Sequence, residues 1–193
     1  MIIDKVECKR LVGETGSEHD AEIEMLIPIV QEDLCEYCSN YFRDDKITYT
    51  AGNLSFVKGT PDTITDNESL FVKKRFAAGM DIVVEWAHAN NGIHELASVA
   101  AGTLTLTSSN ELVSMAYNDT DYPLSTVRVS QVVWPRALKL VVARMVWYLV
   151  ARPKPTGELS ENRDGVVKAY DRATSYPREI MEMANRYRMV RFA

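Results

Sequence analysis

Cys35 and Cys38 form the one Cys-x-x-Cys pair in this chain, a spacing that can serve as half of a structural zinc site or as a redox dithiol. Zinc needs four ligands, and the sequence holds neither a second such pair nor a His-x-x-x-His to complete the set. A redox pair belongs at the start of a helix that follows a strand, whereas this one falls late in an expected helix. Packing is therefore the expected role of both residues. The histidines are His19, His88 and His94. The last two flank Asn90-Asn91-Gly92, and with Glu85 or Glu95 they could in principle approach a metal across two strands. The plainer reading is the surface of a hairpin. No Gly-x-Ser-x-Gly, P-loop, Gly-x-Gly-x-x-Gly, His-Glu-x-x-His or EF-hand pattern is present. No carboxylate pair is set apart by an apolar neighbourhood, so no acid–base assignment follows. The sequence predicts no catalytic residue, no metal site and no cofactor: not an enzyme.

Charge narrows the binding classes. The net charge of −5 conceals a split, because residues 1–127 carry 9 Lys+Arg against 21 Asp+Glu and residues 128–193 carry 13 against 6. Lys73-Lys74-Arg75 and the Arg-rich end could meet phosphate, but so acidic a first part is unsuited to groove binding. Opposite charge at the two ends suits subunits or partners that meet head to tail. Three cysteines do not make a disulfide framework. MIIDKVECKR offers no apolar run of signal-peptide length, so a reducing cytoplasm is expected.

The elements that must carry these residues are organised around Trp134–Arg152. Pro135 suits a first helical position, and Leu138, Val141, Val142, Met145, Val146, Leu149 and Val150 recur at three- and four-residue steps. Leu140 and Trp147 fill most of the remaining circumference, so the helix wants neighbours on nearly all sides. At roughly 27 Å it is long enough for a bilayer, yet Lys139 and Arg144 lie inside it and no second such stretch exists. A central packing helix, buried partly by neighbouring subunits, is the expectation, with no membrane span.

Ahead of it, Asp4 and Glu7 form a capping box for a short helix over about residues 5–11. Ser17, with Asp20 in the box position, opens a long helix to about Tyr41 or Phe42, in which Pro28 should produce a bend. From 43 to 133 the periodicity changes to short β-branched runs: Ile47–Thr50, Leu70–Phe76, Asp81–Trp86, Ile93–Val99, Thr103–Thr107, Leu112–Tyr117 and Ser125–Val133. Asn90-Asn91-Gly92 marks a hairpin. After the central helix, PKPTGELSENRDG is too rich in breakers for regular structure, Val166–Ala173 makes a short turn of helix or strand, and Tyr176-Pro177 opens a last amphipathic helix. The expected fold is α+β: a helical domain (1–42 and 134–193) with a long N-terminal helix, a central hydrophobic helix and a C-terminal helix, into which a small β-barrel or sandwich (43–133) is inserted.

The two helical ends together resemble the head–tail connector (adaptor) proteins of tailed bacteriophages. The resemblance lies in the short opening helix Asp4–Leu11, the acidic turn Glu14–Asp20 and the long helix Ala21–Phe42. It continues in the Pro-initiated apolar helix Pro135–Ala151, then Gly165, Tyr170, and a last helix with Pro177, Ile180 and Tyr187-Arg188. It covers a little over half the chain; the β insertion departs from the family pattern. The resemblance implies a structural virion protein assembled in the host cytoplasm. Such proteins form a homo-oligomeric ring, usually dodecameric, that docks on the portal protein, extends the DNA channel without sequence-specific binding, and offers a platform to the next neck or tail protein. Under it, Tyr176–Ala193 becomes the portal-docking element, with Tyr176, Arg178, Arg186, Tyr187, Arg188 and Arg191 as contacts. Leu138, Val142, Met145 and Leu149 become subunit-packing residues. Deleting Tyr187–Ala193 is then expected to abolish portal binding and leave the fold intact. A tail-completion or stopper protein is the nearest alternative. A bacterial small-molecule- or glycan-binding module with a Trp86/Tyr117 platform is a different class.

Overall fold

The computed structural model describes residues 1–116, 126–151, 160–163, 166–169 and 176–189, with the backbone alone at 160–163 and 166–169. The chain divides into two compact units, Tyr41–Trp134 with Met1, and Ile2–Asn40 with Pro135–Ala193.

Among the described residues the first unit has seven strands: β1 (Arg43–Ala51), β2 (Leu54–Val57), β3 (Thr63–Asp66), β4 (Asp81–Glu85), β5 (Gly92–Ala100), β6 (Thr103–Leu106) and β7 (Val127–Val132). They form one antiparallel sheet in the order β1-β7-β4-β5-β6-β3-β2. This corrects the expectation of a helical domain with an inserted barrel or sandwich: the dominant element is a seven-stranded antiparallel sheet, accompanied by short helices. The physical reason lies in β5. Its first half, Gly92–Glu95, pairs with β4 and its second half, Leu96–Ala100, pairs with β6. One long strand therefore joins what would otherwise be two sheets, and β1 and β2 remain its separate edges. A register shift between Leu96 and Ser98 lets β5 bend as it passes between partners.

Side-chain alternation dictates which face is covered. In β3 and β6, Ile64, Asp66, Leu104 and Leu106 are buried while their neighbours are half-exposed, and β4, between two partners, is buried over Asp81–Val84. Phe56, Phe71, Phe76, Ile82, Leu96 and Leu104 belong to the core they build. Phe71 meets Tyr49 edge-on at 5.8 Å and Phe76 at 6.0 Å.

Two expected strands do not form among the described residues. Leu70–Phe76 forms turns with Arg75 at φ 69°, and Leu112–Ala116 contributes a bridge, Met115 to Phe56. In both, spacing decides. Phe71 and Phe76 are five apart, and Leu112 and Met115 three apart; an odd spacing on a strand would point the pair to opposite faces, yet all four are buried in one core. The backbone finds substitutes: the Asn90 side-chain amide both accepts from Val113 N at 2.8 Å and donates to Val113 O at 2.9 Å. Tyr117 lies outside the described residues.

The second unit has the helices α1 (Lys5–Val12), α2 (Asp20–Cys38), α3 (Arg136–Ala151) and α4 (Arg178–Asn185). Asp4 caps α1, accepting from Glu7 N at 2.7 Å, and Gly13 closes it in the left-handed region. Helix α2 starts at Asp20 without a side-chain cap and continues through Pro28. The Asp20 carboxylate accepts from Lys9 Nζ at 2.5 Å and meets Lys5 Nζ at 3.4 Å, an ion pair in place of the expected capping box. The helix ends four residues before Phe42, where Ser39 turns left-handed at φ 49°. Helix α3 packs on α1, α2 and α4, which cover Leu138, Val141, Val142, Met145 and Val146.

The breaker-rich stretch after α3 holds regular structure. β8 (Ser160–Arg163) pairs antiparallel with β9 (Val166–Ala169), Arg163 opposite Val166. The intervening Asp164 and Gly165 lie outside the described residues.

Candidate functional site

The residues expected to dock a partner divide into those turned inward and those displayed. Tyr176 is turned inward: its hydroxyl donates to Asp33 Oδ2 at 2.5 Å, tying the start of α4 to α2. Burial, and then the Asp33 carboxylate, push this phenol above its ordinary pKa. Arg178 is displayed on the first turn of α4, its Nε donating to Glu182 Oε1 at 2.8 Å one turn further on. Arg186, also exposed, holds its guanidinium 5.0 Å from the centre of the Tyr187 ring, and Arg188 holds its own 5.2 Å from that of Tyr37. Arg191, like Gly165 and Tyr170, lies outside the described residues.

The segment after α4 closes the end of α2. Met189 N donates to Cys38 O at 2.8 Å, Asn40 Nδ2 reaches Tyr187 O at 3.5 Å, and Cys38 Sγ lies 3.8 Å from Ala184 O. The last carbonyls of a helix have no partner within it, so this segment supplies one. Deleting Tyr187–Ala193 would thus remove this closure of α2 as well as the expected docking contacts.

The residues proposed for subunit packing are mostly consumed inside one chain. Leu138, Val142 and Met145 are fully buried, because α1, α2 and α4 already surround α3; Leu149 is half-buried. Exposed apolar side chains recur on α2, where Ala21, Met25, Pro28 and Ile29 share the helix face opposite Ile23, Ile27, Val30 and Leu34. Reading α2 by its buried stripe alone misses this second stripe. Between α1 and α3 runs a groove of about 320 Å³ lined by Glu7, Leu11, Arg136, Lys139 and Leu140, with Lys139 Nζ 2.7 Å from Glu7 Oε2.

On the sheet, β1, β4 and β7 bring Arg43, Glu85 and Arg128 together. Arg43 Nη1 reaches Glu85 Oε2 at 2.9 Å and Arg128 Nη2 reaches it at 2.8 Å, while the Arg128 guanidinium lies 4.4 Å from the centre of the half-exposed Trp86 ring. Glu85 is the register partner of Arg128, so the pairing of β4 with β7 sets this cluster. Sequence reasoning misses it because the three residues lie far apart in the chain.

The other cysteines, histidines and basic residues singled out in the sequence are spread through the two units. Cys8, Cys35 and Cys38 are free and buried. Burial pushes the Cys35 thiol up to about 12 and Cys8 up to about 11, which leaves little thiolate for metal or redox work at neutral pH. His94 stands opposite Ile82 on the β4–β5 pair, and its Nε2 is buried without a hydrogen-bond partner among the described residues. His88 sits in the 3₁₀ turn of the connecting loop, at φ 51°. Lys74 lies over the Tyr49 ring, 5.4 Å from its centre. Among the described residues no three His, Cys, Asp or Glu side chains converge on a metal position, and no helix is long and apolar enough to cross a membrane. No family model matches the chain, and no curated protein sequence does so either.

Proposed function

We propose that the chain is a head–tail connector of a tailed bacteriophage: a ring-forming protein of the virion neck that docks on the portal, lengthens the DNA channel and presents a platform to the next neck or tail protein. The observation that carries this reading is the helical unit built from both chain ends. Helices α1 and α2 from the start of the chain pack on the apolar helix α3, and α4 packs on it from the other end of the chain. The order of these helices along the chain supports the family resemblance. The acidity of residues 1–127 suits a channel past which DNA slides without adhering. Arg178 and Arg186, exposed on α4 and just beyond it, are the docking contacts on this reading.

The test is co-sedimentation with the portal protein encoded in the same genome. Arg178 and Arg186 are both exposed, so in the double substitution Arg178→Ala/Arg186→Ala the circular dichroism spectrum of the full chain should be unchanged while portal binding falls about tenfold. Undiminished binding by that variant would remove α4 from the docking surface. No binding by the unsubstituted chain would remove the connector reading itself.

A further inference from the structure

We infer that copies of this chain join through a heterologous interface in which the exposed apolar stripe of α2 enters the α1/α3 groove of the next copy; the inference rests on the ring reading and deepens it. The stripe is unusual for a solvated surface, since Met25 is 62% and Ile29 49% exposed, on consecutive turns with Pro28 beside them. Continuing along the same face, Glu32 and Glu36 are exposed and make no ion pair among the described residues. The groove mirrors this arrangement. Leu11 and Leu140 supply apolar walls, and Arg136, one turn before Leu140 on α3, is exposed and likewise makes no ion pair among the described residues. Lys139 and Arg10 both face Glu7, so the rim carries a surplus of positive charge.

Charge and spacing fix the occupant as a second copy of this chain. Ile29 and Glu32 are separated by about 4.5 Å along the helix axis, Leu140 and Arg136 by about 6 Å. Seating Ile29 against Leu140 therefore brings a Glu32 carboxylate within side-chain reach of Arg136. Two carboxylates without ion-pair partners meet a positively charged rim as two apolar surfaces leave water. Stripe and groove are different surfaces on the same helical unit, so each copy offers one and accepts one. Such contacts propagate, and they close into a ring when the rotation per subunit allows it.

The experiment mixes two full-length single variants, Ile29→Cys and Leu140→Cys, under mild oxidation. The three native cysteines are buried, so cross-linking reports the introduced pair. A covalent dimer from the mixture, and none from either variant alone, is the expected result. A dimer from Ile29→Cys alone would overturn the inference, because α2 would then meet α2. No dimer from the mixture, with the unsubstituted chain oligomeric by light scattering, would also overturn it and leave the ring reading standing. An unsubstituted chain that stays monomeric throughout the concentration range, both alone and mixed with the portal ring, would defeat both. Charge reversal is an independent check on the same surfaces. Glu32→Lys/Glu36→Lys should lower the scattering mass, and mixing it with Arg136→Glu should restore association; failure to restore it would count against the pairing.

Discussion

Asp62 is fully buried, yet it is surrounded by donors. Its carboxylate accepts from Gly59 N and Asn110 N through one oxygen, and from Ser108 Oγ, Glu111 N and Leu112 N through the other, at 2.9–3.3 Å. Burial alone would raise its pKa, but the N–H groups of Gly59, Glu111 and Leu112 and the Ser108 hydroxyl outweigh it and hold the group below the ordinary carboxylate value. Stability from this source is present above the unfolded pKa of about 3.9 and is lost as pH falls through the folded value. Asp62→Ala leaves several buried donors unsatisfied and should cost about 3 kcal/mol or more in denaturant unfolding. His94 titrates in a different window. Burial lowers its pKa against the opposing pull of the Asn90 backbone, Glu111 and Asp62, so the folded state resists the proton that the unfolded chain accepts near pH 6.5. Stability should decline as pH drops below about 6.5, and His94→Gln should flatten that part of a melting-temperature profile. Tyr176→Phe deletes the hydrogen bond to Asp33 and should cost about 1.5–3 kcal/mol in the same denaturation assay, the range for a bond to a charged group.

At the scale of elements, legibility follows the range of the forces. α1 is readable because its cap and stop are local: Asp4 three residues from Glu7, Gly13 at the left-handed end. α3 is equally plain from apolar content. Hidden features depend on distant partners. Asp20 has the spacing of a capping residue, but Lys9 and Lys5 claim it. The closure of α2 comes from Met189, some 150 residues away, which no local pattern encodes. β2 and β3 are four residues each and too short to show a period, and Leu70–Phe76 has strand-like composition with core spacing that a strand cannot satisfy. The residues expected at docking and subunit contacts divide the same way: the arginines can be picked by charge, whereas Tyr176 and the apolar side chains of α3 need the packing to reveal them as interior. Phe71 joins Tyr49 and Phe76 from this turn, so Phe71→Ala should cost about 3–5 kcal/mol. A loss below about 1 kcal/mol in urea unfolding would mean that the turn is not part of the core.

At the scale of the molecule, function turns on what the helical unit is for. An apolar stripe on α2, a groove between α1 and α3, and exposed arginines at α4 are three separate surfaces on a unit whose own core is already filled. A unit with so much unsatisfied surface is suited to assembly. The light-scattering mass of the purified full chain, alone and then mixed with its portal ring, tests this most directly. The connector reading predicts a ring, either from the chain alone at high concentration or in fixed stoichiometry on the portal. A monomer that stays monomeric and ignores the portal would contradict it.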